Sequence, residues 1–158
     1  MGLDAVVFCD CYEKGRIKRI PPWLKSVCVL SNGSLEPRSD DPDVLQRFDA
    51  WRAHACRHEE GMIAGDYLGN AGSIEWLRDA FWAKRKLFPV LLEKVIYSGT
   101  HCGDHVALRD VAKLAVELDR LRSYRIADKT LDKHLHLLRR KLEKLVRVAL
   151  RIKKPIAF

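Results

Sequence analysis

The sequence has no apolar run long enough to cross a bilayer, which takes roughly 20 residues. Its longest runs, such as residues 88–92, fall far short of that length. The opening residues Met1-Gly2-Leu3-Asp4 carry neither a charged leader nor a small-residue cleavage site, so we expect no signal peptide. The five cysteines are an odd number, and Cys9 and Cys11 are separated by a single residue, so we expect no disulfide framework. These absences predict a cytoplasmic protein that does not contact a membrane.

The sequence also lacks the short motifs that identify common activities. It contains no Gly-Lys-Ser/Thr phosphate loop and no dinucleotide fingerprint, and no helix-turn-helix, zinc finger or aromatic RNA-reading motif. Internal repeats, low-complexity tracts and linkers are absent as well. A chain of 158 residues that is 47% hydrophobic and 32% charged has the size and composition of one globular unit. We therefore predict a single domain over residues 1–158.

Alternation and turn residues predict β-structure near the N-terminus. Residues 5–11 alternate in polarity as a half-covered strand does, and Asn32-Gly33 favours a tight turn inside a hairpin over residues 26–37. Asp41-Pro42 then combines a capping side chain with a proline suited to the first helical position, so a helix is predicted from there to about Cys56. The glycines of residues 61–72 predict a turn region.

Helical periodicity dominates the remainder of the chain. It predicts helices from about Ser73, over residues 90–97, over residues 110–121 and over residues 128–151, with a short extended piece at 106–108. The apolar end at 156–158 is expected to pair with the first strand. The predicted fold class is α+β: a small N-terminal antiparallel sheet packed against a bundle of about five helices, with a long C-terminal amphipathic helix.

The C-terminal helix has two sharply different faces. Apolar residues recur along it in steps of four and three, the spacing of one buried helix face. That face comprises Leu131, Leu135, Leu138, Leu142, Leu145 and Ala149. A basic row with the same spacing, interrupted only by Leu137, comprises Lys133, Arg140, Lys144, Arg147 and Arg151. From residue 128 onward ten basic side chains stand against three acidic ones, so this segment carries +7 of the formal net charge of +8.

The basic row has three interpretations. Complementary potential would attract an acidic protein partner, phosphate contacts would give salt-dependent nucleic-acid binding, and a charged helix face can simply be solvated. We take the five basic side chains as the predicted binding residues, with an acidic protein as the expected partner and nucleic acid as the alternative.

Histidines and cysteines form the other candidate constellation. His54 and His58 are one helical turn apart, and Cys56 can join them only if the helix has already ended. A second cluster contains His101 and His105, and Cys9 with Cys11 is a third. The metal candidates are therefore His54, Cys56, His58, His101 and His105, and a zinc site shared between two clusters is one hypothesis. Buried cysteines, helix-capping histidines and a thiol nucleophile are the alternatives.

Several short segments resemble known bacterial proteins. They are the opening residues 1–7, His58-Glu59-Glu60-Gly61, Leu68-Gly69-Asn70, Tyr97-Ser98-Gly99-Thr100-His101 and the final five residues. With them the chain resembles a group of small uncharacterised bacterial proteins, and its opening resembles some immunity proteins of bacterial toxin systems. That resemblance implies a small cytosolic binder that blocks a cognate toxin, but no catalytic or binding residue carries over. The leading hypothesis is thus a non-enzymatic binding module of the immunity type; the alternatives are a nucleic-acid-binding protein and a metal- or thiol-dependent enzyme.

Overall fold

A computed structural model describes residues 2–24 and 27–158. Four strands form one sheet in the order β4-β1-β6-β5, with β1 at Gly2–Phe8, β4 at Met62–Asn70, β5 at His105–Val106 and β6 at Ile156–Ala157. Both partners of β1 are antiparallel to it. Strands β2 at Val27–Val29 and β3 at Leu35–Pro37 form a separate antiparallel pair. The α+β prediction is confirmed.

In the described residues, four α-helices and one short π-helical segment accompany the sheet. The helices are α1 at Pro42–Arg52, α2 at Ala71–Phe81, α3 at Leu108–Arg120 and α4 at Lys129–Ile152, and the π-helical segment is Leu91–Val95. Two single 3₁₀ turns lie at Glu59–Gly61 and Trp82–Lys84. None of the helices in the described ranges is both long enough and apolar enough to cross a membrane.

The long C-terminal helix is where the sequence places it. The Asp128 carboxylate accepts hydrogen bonds from the amides of Thr130 and Leu131 and so caps the first turn of α4. At the other end Lys153 adopts a left-handed conformation, with φ of 58°, and stops the helix. The apolar face of α4 is buried against α3 and the sheet, apart from a half-buried Leu131.

The main core lies between the sheet and α2, α3 and α4. From α3 it takes Val111, Leu114, Leu118 and Leu121, the partners predicted for the leucine face of α4. From β1 it takes the alternate residues Leu3, Ala5 and Val7. The prediction that the C-terminal residues pair with the first strand is confirmed, because Ala157 of β6 lies opposite Val6.

The ends of the first strand and of the first helix differ from the sequence prediction. The first strand covers residues 2–8 and ends before Cys9, and α1 ends at Arg52 instead of near Cys56. The hairpin is present, with Gly33 at φ of 90° in a loop that the Leu30 amide closes by donating to the Ser34 carbonyl at 2.9 Å. The predicted start of that hairpin at Ser26 lies outside the described residues.

The prediction of a turn over residues 61–72 is wrong, because Met62–Asn70 forms the nine-residue strand β4. A Cβ at Gly65 would lie 3.4 Å from a methyl carbon of Val6 on β1, an ordinary van der Waals distance, so the paired strand accepts glycine there without requiring it. The next helix begins at Ala71, two residues earlier than predicted, because the Asn70 side chain accepts from the Ser73 amide and caps it.

Candidate functional site

The two segments that follow β1 and α1 converge beside the end of the sheet. Cys9 comes directly after β1, and its amide donates to the Gly61 carbonyl at 2.7 Å, which ties the turn to the entrance of β4. Because α1 ends at Arg52, Cys56 and His58 lie on an irregular turn whose side chains are free to point inward. The sequence predicts that Cys56 can join a metal site only if the helix ends before it, and this condition is met.

Four potential metal ligands meet there: Cys9, Cys11, Cys56 and His58. One ligand atom from each lies within 4.8 Å of all the others, so the group could hold a metal ion. The Sγ atoms of Cys9 and Cys56 are 3.7 Å apart. His58 Nδ1 lies 3.4 Å from Cys11 Sγ and 3.8 Å from Cys56 Sγ. Cys11 is buried and the other three are half-buried.

Three of the six separations among these ligand atoms agree with the edges of a tetrahedral zinc site. With Zn–S bonds of about 2.3 Å and a Zn–N bond of about 2.05 Å, tetrahedral angles place two sulfurs about 3.8 Å apart and a sulfur and a nitrogen about 3.5 Å apart. The observed S–S separation of 3.7 Å and S–N separations of 3.4 and 3.8 Å fall within a few tenths of an ångström of those values. The four side chains therefore surround a position that suits one ion of this size.

The local backbone supports the cluster with short turns and amide donors. The Arg16 amide donates to the Cys11 carbonyl at 2.7 Å and the Lys14 amide to the Asp10 carbonyl at 3.1 Å, which folds residues 9–16 into a compact knuckle. The His58 amide lies 3.4 Å from Cys56 Sγ as a donor. Amide donors to sulfur favour thiolate ligands. Between the cysteines, buried Asp10 pairs with Arg16 at 2.6 Å and with Lys14.

Burial sets the protonation of the cluster when no metal occupies it. Burial raises the pKa of the Cys9 thiol to about 12, and it also raises the pKa of the Cys11 thiol. Burial, followed by the charges of Arg57 and Arg16, lowers the pKa of His58 below its ordinary value. Near neutral pH the histidine is thus the neutral imidazole that a metal requires, whereas the thiols must give up protons when a metal binds.

The other histidine candidates lie outside this group. His54 is exposed. His101 is stacked on Tyr97 with ring centroids 4.6 Å apart, and its Nε2 lies 2.9 Å from the Val95 carbonyl oxygen. His105 belongs to β5, where it pairs with Ala157. Of the five predicted metal candidates, the structure brings together Cys56 and His58 and adds to them Cys9 and Cys11, which the sequence had placed in a separate cluster.

The five predicted binding residues form one exposed surface, which we call the basic face of α4: Lys133, Arg140, Lys144, Arg147 and Arg151. At about 100° per residue they lie within an arc of about 60°. Lys144 has a carboxylate partner, Asp66, at 3.7 Å. In the described ranges of the chain the other four form no ion pair.

No protein-family model, curated protein or solved structure was found to match this chain.

Proposed function

We propose that this protein is a non-enzymatic binding module whose fold is held by a structural zinc ion on Cys9, Cys11, Cys56 and His58. The observation that carries the proposal is the convergence of four donor atoms within 4.8 Å from segments 47 residues apart in sequence. Three sulfurs and one imidazole nitrogen are a ligand set that zinc prefers.

The completeness of the ligand set supports a structural role. Catalytic zinc sites keep one position open for water or substrate, whereas structural sites use four protein ligands. A thiol nucleophile would need a lowered pKa, and burial instead raises the pKa of Cys9 and Cys11. These observations argue against a catalytic metal at this cluster and against Cys9 or Cys11 as a nucleophile.

Metal analysis of the purified chain tests this proposal. We expect one zinc per chain by elemental mass spectrometry, and a Co²⁺-substituted sample should show thiolate charge-transfer bands and the visible spectrum of a tetrahedral ion. Cys11→Ser and His58→Ala should each lose stoichiometric metal, because either change removes one of four ligands.

Matched controls lie elsewhere in the same chain. Cys28→Ser and Cys102→Ser change cysteines outside the cluster, and His54→Ala changes the exposed histidine, so all three should keep the metal. If a ligand variant fails to fold, Co²⁺ titration of unfolded wild-type chain during refolding provides an independent readout. Metal-free wild-type protein with a melting temperature unchanged by chelator would refute the zinc proposal.

Within the class of binding modules we propose the immunity type, a small protein that occludes a bacterial toxin by direct contact. Its support is the sequence resemblance together with the basic face of α4, where four of the five cations form no ion pair within the described part of the chain and so suit an acidic partner. Co-expression with the product of a neighbouring gene tests it. Co-purification in a defined stoichiometry, with loss of the partner's toxicity, is the expected result, and unabated toxicity despite comparable expression would contradict it.

A further inference from the structure

We propose that the basic face of α4 docks onto a row of carboxylates on a protein, with Leu137 as an apolar contact at its edge. This inference rests on the proposed function as a binding module and specifies the chemistry of the partner. The five cations of the face extend from Lys133 to Arg151, which is about 27 Å at 1.5 Å per residue. A partner must therefore present negative charge along a comparable length.

The charges of the basic face remain available because nearby carboxylates are engaged by cations at its margins. Glu143 on α4 pairs with Arg139 at 2.7 Å and with Arg122 at 3.1 Å. Asp66 on β4 lies 3.7 Å from Lys144 and 3.8 Å from Lys141. Most of the basic face thus lacks an internal counter-charge, and complementary charge from outside would lower its electrostatic free energy.

Leu137 distinguishes a protein partner from a nucleic acid. It lies between Lys133 and Arg140 along the helix, at the edge of the arc of cations, and is 40% exposed. A phosphate backbone offers nothing apolar to such a side chain, whereas protein interfaces combine apolar and charged contacts. This exposed leucine favours carboxylates on a protein.

Titration with a defined acidic helix tests this surface. The probe is a fluorescein-labelled alanine-based peptide with glutamates spaced by four and three residues and one central leucine, and its matched partner carries glutamine at each glutamate. We expect measurable affinity for the glutamate peptide by anisotropy at low salt and none for the glutamine peptide. Arg140→Glu/Lys144→Glu/Arg147→Glu should weaken binding by about tenfold to hundredfold, and Leu137→Ser by a smaller factor.

The chain supplies a control with the same change in net charge. Lys84→Glu/Arg85→Glu/Lys86→Glu reverses three exposed cations away from α4 and should bind the glutamate peptide nearly as wild type does. A lysine version of the peptide should recover binding to the α4 triple variant, because its charges complement the reversed face.

Two outcomes overturn the inference. The first is equal affinity of wild type and the α4 triple variant for the glutamate peptide. The second is tighter binding of duplex or single-stranded 20-mer oligonucleotides than of the glutamate peptide at the same salt, which would assign the face to nucleic acid. Zinc content is measured on every sample, so a failure of the zinc proposal can be distinguished from a failure of the proposed binding surface.

Discussion

At the scale of single residues, Asp110 shows how one buried carboxylate can link stability to pH. It lies in the first turn of α3, 3% exposed, with Lys94 Nζ at 2.5 Å and Lys113 Nζ at 2.9 Å. Its hydrogen bonds to Lys94 and Lys113 lower its pKa from 3.8 to about 2. The ionised carboxylate is thus favoured in the folded state over the unfolded one.

Asp110 should therefore stabilise the protein at neutral pH and stop doing so in acid. Because the folded pKa is the lower one, its contribution is present above pH 3.8 and is lost as the pH falls toward about 2. We expect Asp110→Asn to lower the unfolding free energy by about 1 to 2 kcal/mol at pH 6 and by almost nothing near pH 2. The effect at pH 6 is moderate because both lysines are partly exposed and solvent screens their charges. Urea unfolding of both proteins across that range measures it, and a pH-independent difference would contradict it.

Gly99 is a position where a single methyl group has no space. A Cβ there would lie 2.6 Å from the Ala71 carbonyl oxygen and 2.8 Å from its Cα, and these backbone atoms cannot move aside as a flexible side chain could. We expect Gly99→Ala to destabilise the fold by about 1 to 3 kcal/mol. Gly72→Ala is the control, because its Cβ would meet Asn70 Oδ1 at 3.7 Å inside α2, where alanine favours helix. Thermal melts of the two variants compare them, and equal melting temperatures would argue against the close contact.

At the scale of elements, periodic helices could be predicted from the sequence and the glycine-bearing strand could not. In α4 the burial of every fourth and third residue follows directly from the order of apolar side chains. In β4 the glycines Gly65 and Gly69 carry no such pattern, and what makes the segment a strand is its pairing with β1. That pairing depends on residues about 60 positions earlier in the chain, which no local window contains.

The start of the π-helical segment is a second feature set by a distant residue. Buried Glu117 on α3 accepts hydrogen bonds from the amides of Val90 at 2.9 Å and Leu91 at 2.8 Å. These amides lie at the start of the helical segment, so no preceding helical turn provides carbonyl acceptors for them. Burial raises the pKa of this carboxyl above its ordinary value. Glu117 thus joins two elements that sequence periodicity treats as independent.

Removal of Glu117 should therefore be costly. We expect Glu117→Ala to lower the unfolding free energy by about 2 to 4 kcal/mol, because it leaves two buried amides without acceptors and creates a cavity. Glu93→Ala, at an exposed position on the π-helical segment itself, should change it by less than about 0.5 kcal/mol. Chemical denaturation gives both values. Near-equal losses would mean that the cap contributes little to the stability of this segment.

At the scale of the whole molecule, apolar burial is unevenly distributed. The main core takes its residues from β1 and from the chain after residue 61, and the intervening ranges 9–24 and 27–61 contribute none of them. We call these ranges the peripheral segment. Its own buried apolar side chains are Cys11, Leu24, Phe48 and Ala55. So few buried groups supply little hydrophobic stabilisation for a segment of about 50 residues.

Only part of the candidate site could be predicted from the sequence. Spacing identified His58 and Cys56, and the alternation of the first strand noted Cys9 and Cys11, but their meeting depends on where β1 and α1 end. Each of these ends came earlier than periodicity indicated. The backbone hydrogen bonds that fold residues 9–16, such as the one that the Arg16 amide donates to the Cys11 carbonyl, cannot be predicted from the pattern of polar and apolar residues. The separate cysteine and histidine clusters could be recognised in the sequence, but their convergence could be seen only in the folded structure.

If zinc binds at the proposed ligands, the peripheral segment should depend on it far more than the main core does. Zinc would join the turn after β1 to the turn after α1 and so close a loop of 47 residues, between Cys9 and Cys56. In hydrogen exchange followed by mass spectrometry, a zinc chelator should therefore increase exchange in α1 and the β2–β3 hairpin while α3 and α4 keep their protection. The Cys11→Ser variant should show that pattern without chelator, and Cys28→Ser should show it only with chelator. Uniform loss of protection across α3 and α4 would mean instead that the peripheral segment and the main core unfold as one cooperative unit.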